Sequence, residues 1–143
     1  MYDARLGRRP AVSWFAPSAG LSEHPSHSIA KGMAYVTGLV NSVMEDSDWN
    51  TTAIFVGYDE WGGRDHVVLP SVDGEGLGLR VPGLVISSYA RKRYVDYRVY
   101  SAASWLKTIE ERFDLPPLAD ATSMLSTLIS LLTTRRGGNW RRR

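Results

Sequence analysis

Four side chains able to bind metal or transfer protons follow one apolar stretch of this sequence. Residues 51–58 are apolar and partly β-branched, and they end in Asp59 and Glu60, with Asp65 and His66 a few positions further on. Carboxylate oxygens are hard ligands that suit Mg²⁺, Ca²⁺ or Mn²⁺, and a further Asp and a His can complete a metal-centred group. Because the motif is short, a strand followed by a solvated acidic turn explains the same spacing.

His24 is a further candidate for chemistry. It lies between Glu23 and Pro25 in a loop that contains Ser, Gly and Pro. Proline disfavours helical backbone at the residue before it, so we expect His24 in an extended or turn conformation. Most loop histidines are exposed and take no part in a reaction, and a functional imidazole is the alternative.

A helix must precede the apolar stretch. Apolar residues recur at intervals of three and four over residues 28–45, which predicts an amphipathic helix that Ser26 or Ser28 can cap. Residues 46–48 form a polar turn between this helix and the apolar stretch. Helix, short loop and strand in this order are half of a βαβ unit.

The apolar stretch itself predicts a central strand. Residues 51–58 show no polar alternation, so we expect this strand to be buried on both faces, as in a parallel sheet. Open α/β sheets bind ligands beyond the carboxyl ends of their strands, where Asp59 and Glu60 would lie. Residues 80–87 predict a second core strand, and residues 11–15 a short β-like run.

Two more apolar segments follow in the last third of the chain. Residues 101–113 carry an apolar stripe at helical spacing, with Ser101 or Ser104 as a cap and residues 115–117 as the stop signal. Residues 124–132 are apolar enough to pack on the body as a short helix.

Composition limits the class of protein. The chain has 143 residues, of which 43% are hydrophobic and 22% charged, as in an ordinary globular domain. It has no cysteine, which excludes disulfides and thiolate metal sites. No stretch resembles a signal peptide or a membrane span, and the sequence does not determine where the protein acts.

Basic residues are concentrated in two places. One is the cluster at residues 91–93, which is a solvated loop or, alternatively, attracts a substrate phosphate. The other is the end of the chain, where five of the last nine residues are arginines. We therefore expect a folded domain over residues 1–132 and a basic, disordered tail over residues 133–143. We expect no specific nucleic-acid partner.

Four blocks of residues occur together in an order and spacing that carry a resemblance. They are Glu23-His24-Pro25, the segment 49–67 around Asp59-Glu60-Trp61-Gly62-Gly63, the segment 80–87, and the segment 109–116. Over residues 10–122 the chain resembles the C-terminal part of the phosphoesterase family that includes phospholipase C and a respiratory-burst-inhibiting acid phosphatase.

The resemblance implies a fold and a site. The fold would be an α/β three-layer sandwich with a parallel-rich sheet, like alkaline phosphatase. Asp59 and Glu60 would bind the active-site divalent metal, with Ca, Mg and Mn all plausible. His24, Asp65 and His66 would surround the metal and the phosphate as catalytic residues. The substrate would be a phosphoester or a phospholipid whose headgroup the sequence does not identify.

The chain also departs from the family pattern. Only Arg64 stands between Gly63 and Asp65, where the family has two residues, and this would re-aim Asp65 and His66. The family's N-terminal half, with its Glu-Asn metal motif and Ser or Thr nucleophile, has no counterpart here. We therefore expect a C-terminal fragment of a metal-dependent hydrolase that needs a missing N-terminal half and is inactive alone. The alternative is a non-enzymatic remnant or binding module that engages anionic partners through its basic segments.

Overall fold

A computed structural model describes residues 9–60, 80–118 and 126–132. The longer elements in these ranges are helix α1 (Ile29–Met44), strand β1 (Ala53–Gly57), strand β2 (Gly83–Ser87) and helix α2 (Ala103–Phe113). Short 3-10 helices cover Ala19–Leu21, Ser47–Thr51 and Leu128–Leu131. The described residues thus form a small α/β structure, which confirms the coarse fold class. None of the described helices is long and apolar enough to cross a membrane.

Helix α1 lies where the periodicity predicts it. The Ser28 hydroxyl accepts a hydrogen bond from the Lys31 N–H at 3.4 Å, so Ser28 is the cap. At the other end, the Glu45 N–H donates to the Asn41 carbonyl at 3.0 Å. The predicted helix over residues 28–45 is therefore confirmed.

The polar turn after α1 is a 3-10 helix with its own cap. The Asp46 carboxylate accepts hydrogen bonds from the Asp48 N–H at 3.2 Å and the Ser47 hydroxyl at 3.1 Å. Arg9 Nε donates to the same carboxylate at 2.9 Å, and Arg9 Nη2 lies 3.3 Å from the Thr52 hydroxyl. These contacts hold the segment around Arg9 against the residues that lead into β1.

Strands β1 and β2 pair antiparallel, with Ala53 opposite Ser87 and Gly57 opposite Gly83. The described residues therefore show no parallel pairing, in contrast to the parallel-rich sheet that the sequence predicts. All residues of β1 are half-buried, so the prediction of burial on both faces is wrong in this structure. The apolar run without alternation does not encode the direction of its partner strand. Within the described residues β1 lies in a two-stranded sheet, which leaves it only half-buried.

Helix α2 confirms the predicted helix, although it begins at Ala103 and its N-cap is Ala102 rather than Ser101 or Ser104. The Ser101 hydroxyl accepts from the Ala103 N–H at 3.2 Å, and the Ser104 hydroxyl accepts from the Ser101 N–H at 3.1 Å. These two hydrogen bonds join Ser101 to the first turn of α2, although the N-cap itself is Ala102 and makes no side-chain cap hydrogen bond. The helix ends at Phe113, and the next residue, Asp114, has a left-handed φ of 56° before the prolines are reached.

The segment 126–132 packs onto α2 and the end of β2. Leu128, Ile129 and Leu132 are all buried, and in α1 Val43 is buried as well. Leu132 forms an isolated bridge with Ala90, and the Arg91 N–H donates to the Leu131 carbonyl at 3.0 Å. The described part of the predicted 124–132 segment is thus a short 3-10 helix that completes the core.

The β-like prediction for residues 11–15 is wrong. No strand forms there, and Val12, Trp14 and Phe15 are exposed. Instead, the Trp14 ring lies 6.2 Å from the Trp105 ring of α2, centroid to centroid. Aromatic and β-branched residues favour a strand only where a neighbouring strand offers hydrogen bonds, and no described strand pairs with this run.

Candidate functional site

His24 lies at the first position of a tight turn. The His27 N–H donates to the His24 carbonyl at 2.9 Å, Pro25 follows His24, and Ser26 has a φ of 78°. Proline at the second position and a positive φ at the third are the features of a type II turn. The predicted turn conformation of His24 is therefore confirmed.

Glu23 packs the same loop against the start of α1. It has a φ of 65°, and its side chain lies over Gly32, where an added Cβ would meet Glu23 Cγ at 2.2 Å and the Leu21 carbonyl oxygen at 3.0 Å. Gly32 is buried within α1. The absence of a side chain at Gly32 therefore allows the loop to lie directly on the helix backbone.

The loop also reaches the carboxyl end of β1. Tyr58, the residue after β1, donates a hydrogen bond from its hydroxyl to Glu23 Oε2 at 2.8 Å. The Nε2 atom of His24 lies 3.8 Å from Glu60 Oε1. The structure thus brings together His24 and Glu60, two of the residues that the sequence singles out.

The contacts of His24 define its tautomer. Nδ1 lies 3.1 Å from the Pro25 carbonyl oxygen, which can only accept, so this hydrogen bond requires a proton on Nδ1. Nε2 is then the nitrogen that faces Glu60. The His24 side chain is 65% exposed and that of Glu60 47%, so solvent reaches both groups. The pair can act on a proton or hold a cation.

The remaining predicted site residues are not brought into this pair. Asp59 is exposed beside Glu60, and Asp65 and His66 lie outside the described residues. Within residues 9–60, 80–118 and 126–132, no three His, Asp or Glu side chains gather in a way that could hold a metal ion. The described part of the chain therefore brings together at most two such ligands, fewer than a full shell of about six.

Trp105 of α2 packs on the end of β1 that carries the site. A Cβ at Gly57 would lie 2.5 Å from Trp105 Cζ2, so this glycine permits the close approach of the indole. Gly57 immediately precedes Tyr58. The indole thereby supports the strand end from which Tyr58 and Glu60 project.

The basic cluster at residues 91–93 lies away from this site. It follows the carboxyl end of β2, which pairs with the beginning of β1 rather than with its end. All three side chains are exposed, and the Arg91 guanidinium stacks over the Tyr94 ring at 4.8 Å. Because the strands run antiparallel, the cluster is at the opposite end of the two-stranded sheet from Glu60.

A second charged group, near the basic cluster, is structural. Asp96 accepts hydrogen bonds from Arg98 and, at 2.8 Å, from the Tyr100 hydroxyl. The Arg98 side chain holds the pKa of the Asp96 carboxyl well below its usual range. Burial raises the pKa of Tyr100, and the bond to Asp96 raises it further. Asp96, Arg98 and Tyr100 thus serve as hydrogen-bond partners for one another.

Comparison with known proteins gives the family. The chain matches the phosphoesterase family over residues 1–116. It belongs to the phosphoesterase family. The resemblance carried by the four sequence blocks is therefore confirmed.

The relatives of this phosphoesterase chain are phospholipases C. Phospholipase C B of Mycobacterium tuberculosis is 38% identical over 140 residues, a match that covers 80% of this chain and 27% of that protein. Phospholipase C A of the same organism is 35% identical with the same coverage. Non-specific phospholipase C6 of Arabidopsis thaliana is 30% identical over 145 residues, covering 79% of this chain and 28% of that protein. The chain thus spans about a quarter of the length of these relatives.

Sequence reasoning missed three residues of the site: Glu23, Gly32 and Tyr58. Glu23 and Tyr58 stand next to predicted residues, in the motifs Glu23-His24-Pro25 and Tyr58-Asp59-Glu60. Gly32 could have been noticed as a glycine inside a predicted helix, because a glycine at such a position often allows a neighbouring segment to pack closely against the helix.

Proposed function

We propose that this chain is part of a metal-dependent hydrolase of phosphoric ester bonds, of the phospholipase C or acid phosphatase type. The observation that carries the proposal is the approach of His24 Nε2 to Glu60 Oε1, 3.8 Å apart, at the carboxyl end of β1. Family membership and the names of the relatives support it. The proposed fold of the whole enzyme is the three-layer, alkaline-phosphatase-like sandwich.

The chemistry assigns a role to each described residue. Hydrolysis of a phosphoester moves negative charge onto the leaving oxygen, and a group that donates a proton there lowers the barrier. With Nδ1–H donated to the Pro25 carbonyl, the neutral ring has no proton on Nε2. His24 would therefore donate from Nε2 to the leaving oxygen or to a phosphate oxygen only as the imidazolium, which returns to the neutral ring when the proton is transferred. Glu60 stabilises the positive charge of the imidazolium when it forms.

Asp59 and Glu60 fit part of a site for a hard divalent cation. Both are exposed carboxylates next to each other in sequence, and oxygen ligands of this kind suit Mg²⁺, Ca²⁺ or Mn²⁺. When bound, such an ion offsets phosphate charge as a Lewis acid. The further ligands would come from outside the described residues, with Asp65 and His66 as candidates for the metal or phosphate surroundings.

We also propose that the chain alone hydrolyses phosphoesters negligibly. The resemblance assigns the nucleophile to a part of the family that has no recognisable counterpart in this sequence. Loss of a nucleophile typically removes several orders of magnitude of rate, since such groups act as a unit. The phosphoester or phospholipid substrate would therefore react only when the rest of the site is supplied.

A chimera tests the function. This chain replaces the matched segment of Phospholipase C B, and initial rates are measured with p-nitrophenyl phosphate and p-nitrophenyl phosphorylcholine, with added divalent metal and with EDTA. We expect metal-dependent turnover by the chimera, lowered about 100-fold or more by Glu60→Ala. The isolated chain is measured beside it.

Glu45→Ala is the matched control, because Glu45 is an exposed glutamate at the opposite end of α1 from the His24 loop. It should leave the chimera's rate unchanged. A folded chimera without turnover, or one whose rate survives Glu60→Ala, would refute the proposal. Strong turnover by the isolated chain that Glu60→Ala abolishes would show that a nucleophile lies within these 143 residues.

A further inference from the structure

We infer that Tyr58 and Glu23 act together as positioning residues that hold His24 opposite Glu60. We call this pair the Glu23–Tyr58 latch. Neither residue is assigned a contact with substrate. The importance of the latch for catalysis rests on the proposed function, whereas its effect on the geometry of His24 does not.

The latch joins two segments at the points that carry the candidate site. The Tyr58 hydroxyl donates to Glu23 Oε2 at 2.8 Å, across 35 positions of sequence. Glu23 immediately precedes His24, and Tyr58 lies two residues before Glu60. This hydrogen bond therefore links the loop that carries His24 to the segment that carries Glu60.

The Glu23 side of the latch is constrained by α1. The left-handed φ of 65° turns its side chain back over Gly32, and a Cβ there would lie 2.2 Å from Glu23 Cγ. Contact with the helix backbone leaves the carboxylate little freedom to follow a moving Tyr58. The hydrogen bond thus ties the end of β1 to a fixed point on α1.

The other contacts of His24 orient it only within its own loop. Its N–H donates to the Ser22 hydroxyl at 3.3 Å, and Nδ1 bonds the Pro25 carbonyl at 3.1 Å. Neither contact reaches β1. The Tyr58 hydrogen bond does, and loss of the Tyr58 hydroxyl should therefore let the loop move relative to Glu60 while the turn stays intact.

The experiment measures coupling between Glu60 and the His24 ring by NMR of the full chain with ¹³C-labelled histidine. The signal is the chemical-shift change at His24 Cε1–Hε1 on Glu60→Gln, recorded in the parent chain and in Tyr58→Phe. We expect this change to be at least threefold smaller in the Tyr58→Phe background. His27, in the same loop, is the internal reference, and His24→Gln assigns the resonance.

Control variants separate positioning from stability. Glu23→Gln keeps an oxygen that accepts from Tyr58 and should preserve the coupling, whereas Glu23→Ala should lose it. Tyr97→Phe removes a hydroxyl from a side chain that is 92% exposed and should change nothing. Thermal unfolding of every variant confirms that folded chains are compared. If Tyr58→Phe does not fold, the effect of Glu60→Gln on His24 is measured in the Glu23→Ala background instead.

Two results would overturn the latch. One is a Glu60→Gln effect on His24 that is the same with and without the Tyr58 hydroxyl. The other is no effect of Glu60→Gln on His24 in the parent chain, since the two groups would then not be neighbours. The NMR measurement does not require enzymatic turnover. An inactive chimera would therefore refute the proposed hydrolase without deciding whether the Glu23–Tyr58 latch positions His24.

Discussion

At the scale of single residues, Asp46 shows how one buried carboxylate organises the approach to the site. Its side chain is fully buried and binds the Asp48 N–H, the Ser47 hydroxyl and the Arg9 guanidinium. The Asp48 N–H is the main cause that lowers the pKa of Asp46 below its usual value of 3.8, with Ser47 and Arg9 adding to it, although burial opposes the shift. Folding therefore favours the ionised form.

This shift predicts an acid-sensitive contribution to stability. A carboxyl whose pKa is lower in the folded chain stabilises it above the pKa of the unfolded chain, and the effect is lost as pH falls through the folded pKa. Asp46→Asn should thus lower the free energy of unfolding at pH 7, by an amount that shrinks as the pH falls below the usual carboxyl pKa of 3.8. Urea unfolding at several pH values measures the difference.

Arg9→Gln is the control variant for the pH dependence of Asp46→Asn. Because Arg9 contributes less to the shift than the Asp48 N–H, this variant should keep most of the acid-sensitive difference. A stability gap between the parent and Asp46→Asn that stayed constant from neutral to acidic pH would contradict the assignment to the ionised carboxylate.

At the scale of elements, the two glycines inside α1 have different surroundings. Gly32 faces Glu23 and the Leu21 carbonyl, whereas a Cβ at Gly38 would have nothing within 4 Å. Both residues lie inside the same helix, where glycine is intrinsically unfavourable. The two positions therefore separate helix propensity from packing.

Gly32→Ala and Gly38→Ala should change stability in opposite directions. Gly38→Ala should raise the free energy of unfolding by about 0.5–1 kcal/mol, since alanine is the better helix former. Gly32→Ala should lower it by about 1–3 kcal/mol, because the methyl group overlaps Glu23 and the Leu21 carbonyl. Urea unfolding of both variants tests this, and a stabilising Gly32→Ala would show that the loop does not rest on the helix.

At the scale of the whole molecule, the segment 126–132 joins α2 to the end of β2 and closes the described core. Thr108 of α2 is only 2% exposed, and its hydroxyl accepts from the Leu128 N–H at 3.0 Å. The same hydroxyl donates to the Ser104 carbonyl at 2.7 Å. One side chain thus satisfies a buried backbone donor of a segment that is distant in sequence.

Thr108→Val should therefore destabilise the chain without a change in side-chain volume. The Leu128 N–H would be left buried without an acceptor, which costs about 1–3 kcal/mol of unfolding free energy. Thr37→Val, at an exposed position of α1, should change it by less than about 0.5 kcal/mol. Equal effects of the two substitutions on the urea midpoint would show that the Thr108 contact is not important.

The local features were predictable because they depend on neighbours in sequence. Periodicity places α1 and α2, Ser28 and Ser101 stand where their hydroxyls reach the first turn, and Pro25 restricts His24. The joint order of four motifs was likewise enough to identify the phosphoesterase family. The assignment of Asp59 and Glu60 as metal ligands, and of His24, Asp65 and His66 as catalytic residues, stays a prediction.

The sequence by itself thus determined α1, α2, β1, β2 and the family, since short-range spacing and joint motifs carry that information, whereas it wrongly predicted a β-like run over residues 11–15. Only the tertiary structure decided that β1 and β2 pair antiparallel, because an unalternated apolar strand does not encode the direction of its partner. It alone also decided that Glu23 meets Tyr58 and that His24 meets Glu60. Those contacts depend on how the Glu23 side chain and the Leu21 carbonyl pack over Gly32, a fit between distant parts of the chain that no local spacing records.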